Sequence, residues 1–181
     1  GCGAAQCPKP RHGRRHWGNF STMPPITRPI AALLLLLIAS GAASEGQDNA
    51  VLAQQRAAAE ERYQLLSAEG RNAEAAAAGL EVVVLTGQLH GADSLELASP
   101  LTNLATAQLR SGALRDAEAN YQAAIALLEK RAGFLSARLI ESLTGLGEAY
   151  LRSEQYPLAT QAYERALRVN HVNEGFYNLD Q

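Results

Sequence analysis

Four histidines and two cysteines are the residues of this 181-residue chain best suited to metal or nucleophile chemistry. Cys2 and Cys7, with His12 and His16 four apart, make half a metal motif. A closed site needs further ligands at comparable spacing, none follow, and Pro8, Pro10 and Gly13 oppose the helix that would align the histidines. His90 and His171 fall between helical patterns, with no acid or nucleophile placed for a triad. Glu60–Glu61 and Glu69 with Glu74 are the carboxylate pairs that acid–base chemistry would require. On alanine-rich helices such carboxylates usually form the solvated face. The chain holds no GxGxxG, P-loop, GxSxG or HExxH pattern. No catalytic residue, metal or cofactor is expected.

The residues that position everything else fall into two unlike parts. Residues 1–43 hold Lys9, Arg11, Arg14, Arg15 and Arg28 and no acid, leaving eleven basic against eighteen acidic residues, net −7, in the rest. An acidic body does not suit a nucleic-acid partner, which needs a clustered basic surface. From Met23 the text reads "MPPITRPIAALLLLLIASGAASEG". Arg28 is a basic n-region, residues 30–39 an apolar run, and "SGAAS" a small-residue cleavage context, so residues 23–43 are expected to be a secretory signal peptide cleaved after Ala43. The run is too short for a stable membrane span, which takes roughly 20 apolar residues. Periplasmic or secreted placement follows. Residues 1–22 begin at Gly1 and read as an unplaced leader or a mispredicted start.

Hydrophobic residues are 47% of the chain but aromatics only 6%, and much of the apolar content is alanine. Alanine has the best helix propensity and lets helices approach closely. No stretch after residue 45 alternates long enough for a sheet, so the body is expected to be all-α. Helices are predicted at about 50–68, 71–86, 96–111, 114–131, 136–152 and 156–169, with Ser99–Pro100 offering an alternative start to the third.

Three segments align at a spacing of 42: "AEGRNAEAAAAGLEVVV", "RSGALRDAEANYQAAIA" and "RSEQYPLATQAYERALR". Gly70, Gly112 and Glu154 coincide, as do Ala75, Ala117 and Ala159, then Gly79, Tyr121 and Tyr163, then Val82, Ala124 and Ala166. Upstream, Leu101, Leu104, Ala105 and Gln108 match Leu143, Leu146, Gly147 and Tyr150. Small residues let two helices cross closely while an aromatic fills the space beside them.

At these positions the chain resembles the tetratricopeptide repeat, carried most fully by Leu143, Leu146, Gly147, Tyr150, Ala159, Tyr163 and Ala166. The 42-residue period resembles the kinesin-light-chain subtype. The resemblance covers residues 50–170 and implies a right-handed superhelical stack of antiparallel helix pairs, about three repeats within residues 44–170. Copy one departs from the pattern, with Arg62 and Gly79 where leucine and an aromatic belong, which leaves its packing open. Residues 171–181 read as the start of a further repeat, with the alternative that the open face of the last helix pair self-associates.

The family holds extended peptides in a groove lined by its first helices. Carried across, the groove positions are Asn103, Thr106 and Arg110, then Thr144, Glu148 and Arg152, with Gln64 the weaker equivalent in copy one. Arg110 and Arg152 would lie side by side and take a carboxylate through charge-assisted bonds. The resemblance thus implies a scaffold for a protein or peptide partner. A structural spacer or self-assembly module is the alternative.

Overall fold

A computed structural model describes residues 27–174, with side chains from residue 47 onward. The leader 1–22, with Cys2, Cys7, His12 and His16, lies outside the described residues, as do the start of the expected signal peptide and residues 175–181. The chain divides into two compact units, Gly1–Ser44 and Glu45–Gln181. In the first, the described backbone is helical from Thr27. No helix among the described residues is long and apolar enough to cross a membrane.

The described residues are all-helical and contain no strand: α1 (Thr27–Ala68), α2 (Asn72–His90), α3 (Ala98–Ser111), α4 (Leu114–Ala132), α5 (Leu139–Arg152) and α6 (Tyr156–Glu174). A 3₁₀ turn, Leu95–Leu97, precedes α3. Within the second unit α3 packs on α4 and α5 on α6, while α2 lies on α3, α4 on α5, and α3 also meets α5.

The 42-residue spacing is written into the backbone hydrogen bonds. Arg71, Ala113 and Gln155 each donate their N–H to a carbonyl five residues back, on Leu66, Gln108 and Tyr150, all at 2.9 Å. Gly70, Gly112 and Glu154 donate to Ser67, Leu109 and Leu151, completing a Schellman end on α1, α3 and α5. The residue at that corner must be left-handed, and φ is 73° at Gly70, 86° at Gly112 and 59° at Glu154. The far ends of α2 and α4 repeat as well, at His90 and Ala132, each closed by a left-handed glycine, Gly91 and Gly133. Residues 171–174 continue α6, past the expected boundary at 170. His171 accordingly sits in a helix, and His90 closes α2. The α3 start differs from both sequence alternatives: Leu97 occupies the cap position, so Pro100 falls in the first turn and Ser99 caps nothing.

Glutamate in the left-handed region is strained where glycine is not. Glu154→Gly is expected to stabilise the chain by about 0.5–1 kcal/mol, and Gly112→Ala to destabilise it by about 1 kcal/mol. Thermal melts read by circular dichroism check both signs.

The core is built of small residues at the crossings. Ala75, Ala117 and Ala159 are buried, as are Val82, Ala124 and Ala166. Tyr121 is the largest fully buried side chain and presses on Gly145 of the next hairpin. In copy three the ring of Tyr163 from α6 lies against Gly147 of α5. Copy one reverses the donors: Tyr63 of α1 lies against Gly79 of α2, at the same two register positions. The Tyr63 hydroxyl donates to the Asn103 carbonyl at 3.1 Å, and Asn103 is one period before Gly145. The gap that an aromatic on the second helix fills elsewhere is filled here from the first. Arg62, where leucine was expected, is exposed and pairs with Glu81 at 2.7 Å.

Two buried hydroxyls join neighbouring hairpins. Thr102 Oγ1 donates to the Ala98 carbonyl at 2.9 Å, so its 2.8 Å bond with Ser142 Oγ uses the serine proton. Thr86 is the exception among the described side chains: its Oγ1 is buried with no partner. One period on stands Leu128, also buried. Thr86→Val keeps the shape and removes an unsatisfied hydroxyl, so it is expected to stabilise by about 1 kcal/mol, read as a higher urea midpoint at constant slope.

Candidate functional site

α3 and α5 run past one another and leave a groove of about 380 Å³ between them. Five of the six residues expected at a groove line it: Thr106, Arg110, Thr144, Glu148 and Arg152. Leu109, Tyr121, Glu141 and Gly145 complete the lining. Asn103 does not line it. It is half-buried, and its carbonyl accepts the Tyr63 hydroxyl.

The groove exists because both helices carry polar residues three or four apart on the face away from the alanine crossings. Thr106 Oγ1 donates to the Thr102 carbonyl and Thr144 Oγ1 to the Ile140 carbonyl. Their protons are thereby committed, and each oxygen keeps acceptor capacity. On Thr106 that acceptor takes the Tyr121 hydroxyl at 2.9 Å. Burial raises the Tyr121 phenol above its ordinary range, so the ring floors the groove as a neutral group.

The two arginines differ sharply in what they hold. Arg152 donates through Nε and Nη2 to one oxygen of Glu148, at 3.0 and 2.6 Å. Its Nη1 reaches the Leu109 carbonyl at 3.2 Å, a second donor to a carbonyl that also accepts the Gly112 N–H. Arg152 is a brace across the two helices. Arg110 is exposed and makes no ion pair or hydrogen bond among the described residues. It is the uncommitted cation of the groove, with the carboxylate of Glu141 among the other lining groups. The sequence reading omitted Glu141, although its place three residues before Thr144 puts it on the same helix face.

The groove offers guanidinium N–H donors, carboxylate and hydroxyl acceptors, and an apolar floor. Away from the groove, Glu69 and Glu74 both bind Arg71, at 3.1 and 2.5 Å. The Arg71 hydrogen bond holds the Glu74 carboxyl below its usual range, the opposite of what a general acid requires. Among the described residues no group of three or more His, Cys, Asp or Glu is placed to hold a metal ion.

No protein-family model and no curated protein matches the chain.

Proposed function

We propose that the chain is an exported scaffold of the tetratricopeptide kind that binds an extended peptide, from a protein partner, in the groove between α3 and α5. The observation that carries this is the exposed Arg110, without an ion pair or hydrogen bond among the described residues, beside four other expected groove residues. The repeated Schellman ends and the alanine crossings support a regular stack of helix pairs, right-handed as the resemblance implies. Export to the periplasm or outside the cell rests on the expected signal peptide at 23–43. On this reading the chain is not an enzyme, needs no cofactor and takes no nucleic acid.

The test uses peptides selected on the full chain from a random library, with affinity read by fluorescence anisotropy. Arg110→Ala is the cleaner variant, because Arg110 makes no hydrogen bond or ion pair among the described residues, whereas Arg152→Ala also strips Glu148 of its partner and the Leu109 carbonyl of its side-chain donor. Arg110→Ala is expected to weaken binding about tenfold, a loss of about 1.4 kcal/mol, with the helical signal unchanged. Unchanged affinity in both single variants and in the double variant would sink the groove assignment.

A second reading, a spacer or self-assembly module, is favoured by the apolar residues that α6 leaves exposed, Leu158, Leu167 and Val172. It requires oligomers that grow with concentration in light scattering, and a strict monomer would remove it.

A further inference from the structure

The repeat makes one junction between hairpins a control for the next. At the end of α4, Lys130 Nζ binds the Asp93 carboxylate at 2.7 Å, and Arg131 Nε donates to the Asp93 carbonyl at 2.8 Å. One period later Asn173 Nδ2 donates to the Leu135 carbonyl, also at 2.8 Å. The backbone brace is kept. The ion pair is not, because its two positions are now Leu135 and Val172. These side chains are not folded away: Phe134, Leu135 and Val172 are 68%, 56% and 54% exposed. With Val169 they line a hollow of about 700 Å³.

The rim of that hollow is basic. Arg165 and Arg168 both line it, with Glu129 as its one carboxylate. Arg165 pairs with Glu129, so that charge is neutralised within the chain. Arg168 is exposed and makes no hydrogen bond or ion pair among the described residues. An apolar floor with a net positive edge complements a segment that is both apolar and acidic. A two-fold pairing of copies through the same patch would bring the Arg168 of both into one interface, which like-charge repulsion opposes.

We infer that this hollow is a second docking surface, for an acidic, apolar segment of a partner protein. Leu135, Val172 and Phe134 take its apolar side chains, and Arg168 takes a carboxylate. The surface is independent of the groove between α3 and α5.

Three fluorescein-labelled synthetic peptides of equal length test it on the full chain: alternating leucine and glutamate, leucine and lysine, and serine and glutamate. The leucine–glutamate peptide is expected to bind at least tenfold more tightly than either other. The double variant L135D/V172K rebuilds the ion pair of the preceding junction and is expected to cut that affinity tenfold or more. Phe134→Ser, at an exposed position, is expected to weaken binding with the helical signal intact, and Arg168→Glu likewise. Arg110→Ala is expected to leave it unchanged, which separates this surface from the groove. Three results would overturn the inference: no binding of the leucine–glutamate peptide, equal binding of the leucine–lysine peptide, or indifference to both L135D/V172K and Phe134→Ser. Self-association in light scattering that L135D/V172K abolishes would identify a second copy as the occupant and overturn it equally.

Discussion

Replacing Gly145 by alanine is expected to cost about 2 kcal/mol, the net of roughly 3 kcal/mol of overpacking and a gain of about 1 kcal/mol in helix propensity. A Cβ at Gly145 would stand 2.3 Å from Cζ of Tyr121 and 2.5 Å from its hydroxyl oxygen. The ring cannot swing clear, because it is 2% exposed and its hydroxyl is bound to Thr106. Gly147 provides the comparison within the same helix. Its Cβ would come within 2.8 Å of the Tyr163 ring, but that ring is half-buried and has room to shift. Gly147→Ala is expected to cost well under 1 kcal/mol, since the propensity gain offsets most of the strain. Urea titrations of the two variants, followed by circular dichroism, give both numbers. Equal losses would mean that Tyr121 is not locked as described.

The second large effect concerns copy one, where the tyrosine and the small residue have changed places. Tyr63→Ala is expected to cost about 2–3 kcal/mol by emptying the space over Gly79. Gly79→Tyr alone is expected to cost a similar amount, about 2–3 kcal/mol, because the new ring meets both Tyr63 and the Leu104 backbone. Combined, the two changes put the residue types of Ala105 and Tyr121 at these positions, but Asn103 stands where Gly145 leaves Tyr121 its room. The double variant is therefore expected to cost about 2 kcal/mol, like Gly145→Ala, a coupling of about 3 kcal/mol in a double-mutant cycle. Additive losses would show that the two positions do not share one cavity.

That exchange also marks where the sequence stopped being readable. The alignment of Gly70, Gly112 and Glu154 was legible, but the left-handed corner at the glutamate was not, because register outranks residue type once neighbouring copies fix the turn. Tyr63 was not legible as the missing aromatic. A linear alignment compares each position with its own kind, whereas packing requires only that one ring reach the crossing from either side. Helix ends were the weakest part. α2 and α6 each run four or more residues beyond the pattern, since their last turns carry too few apolar residues to show a period. The α3 start was misplaced because Leu97 offers no capping side chain.

Five groove residues were legible because positions 42 apart project together from adjacent helices. Their individual states were not. Arg110 and Arg152 are one residue type at one register position, yet Arg152 is tied to Glu148 and the Leu109 carbonyl while Arg110 is uncommitted. The difference lies in what stands four residues before each, glutamate at 148 and threonine at 106. The junction at Leu135 and Val172 was likewise invisible until the Lys130–Asp93 pair showed what those positions do one period earlier.

The most direct test of the account is hydrogen–deuterium exchange by mass spectrometry on the full chain, with and without a library-selected peptide at saturation. The account predicts added protection in peptides spanning residues 103–112 and 139–152, the two walls of the groove, and little change in α2. Protection confined to other helices, or none with a peptide shown by anisotropy to be bound, would contradict it.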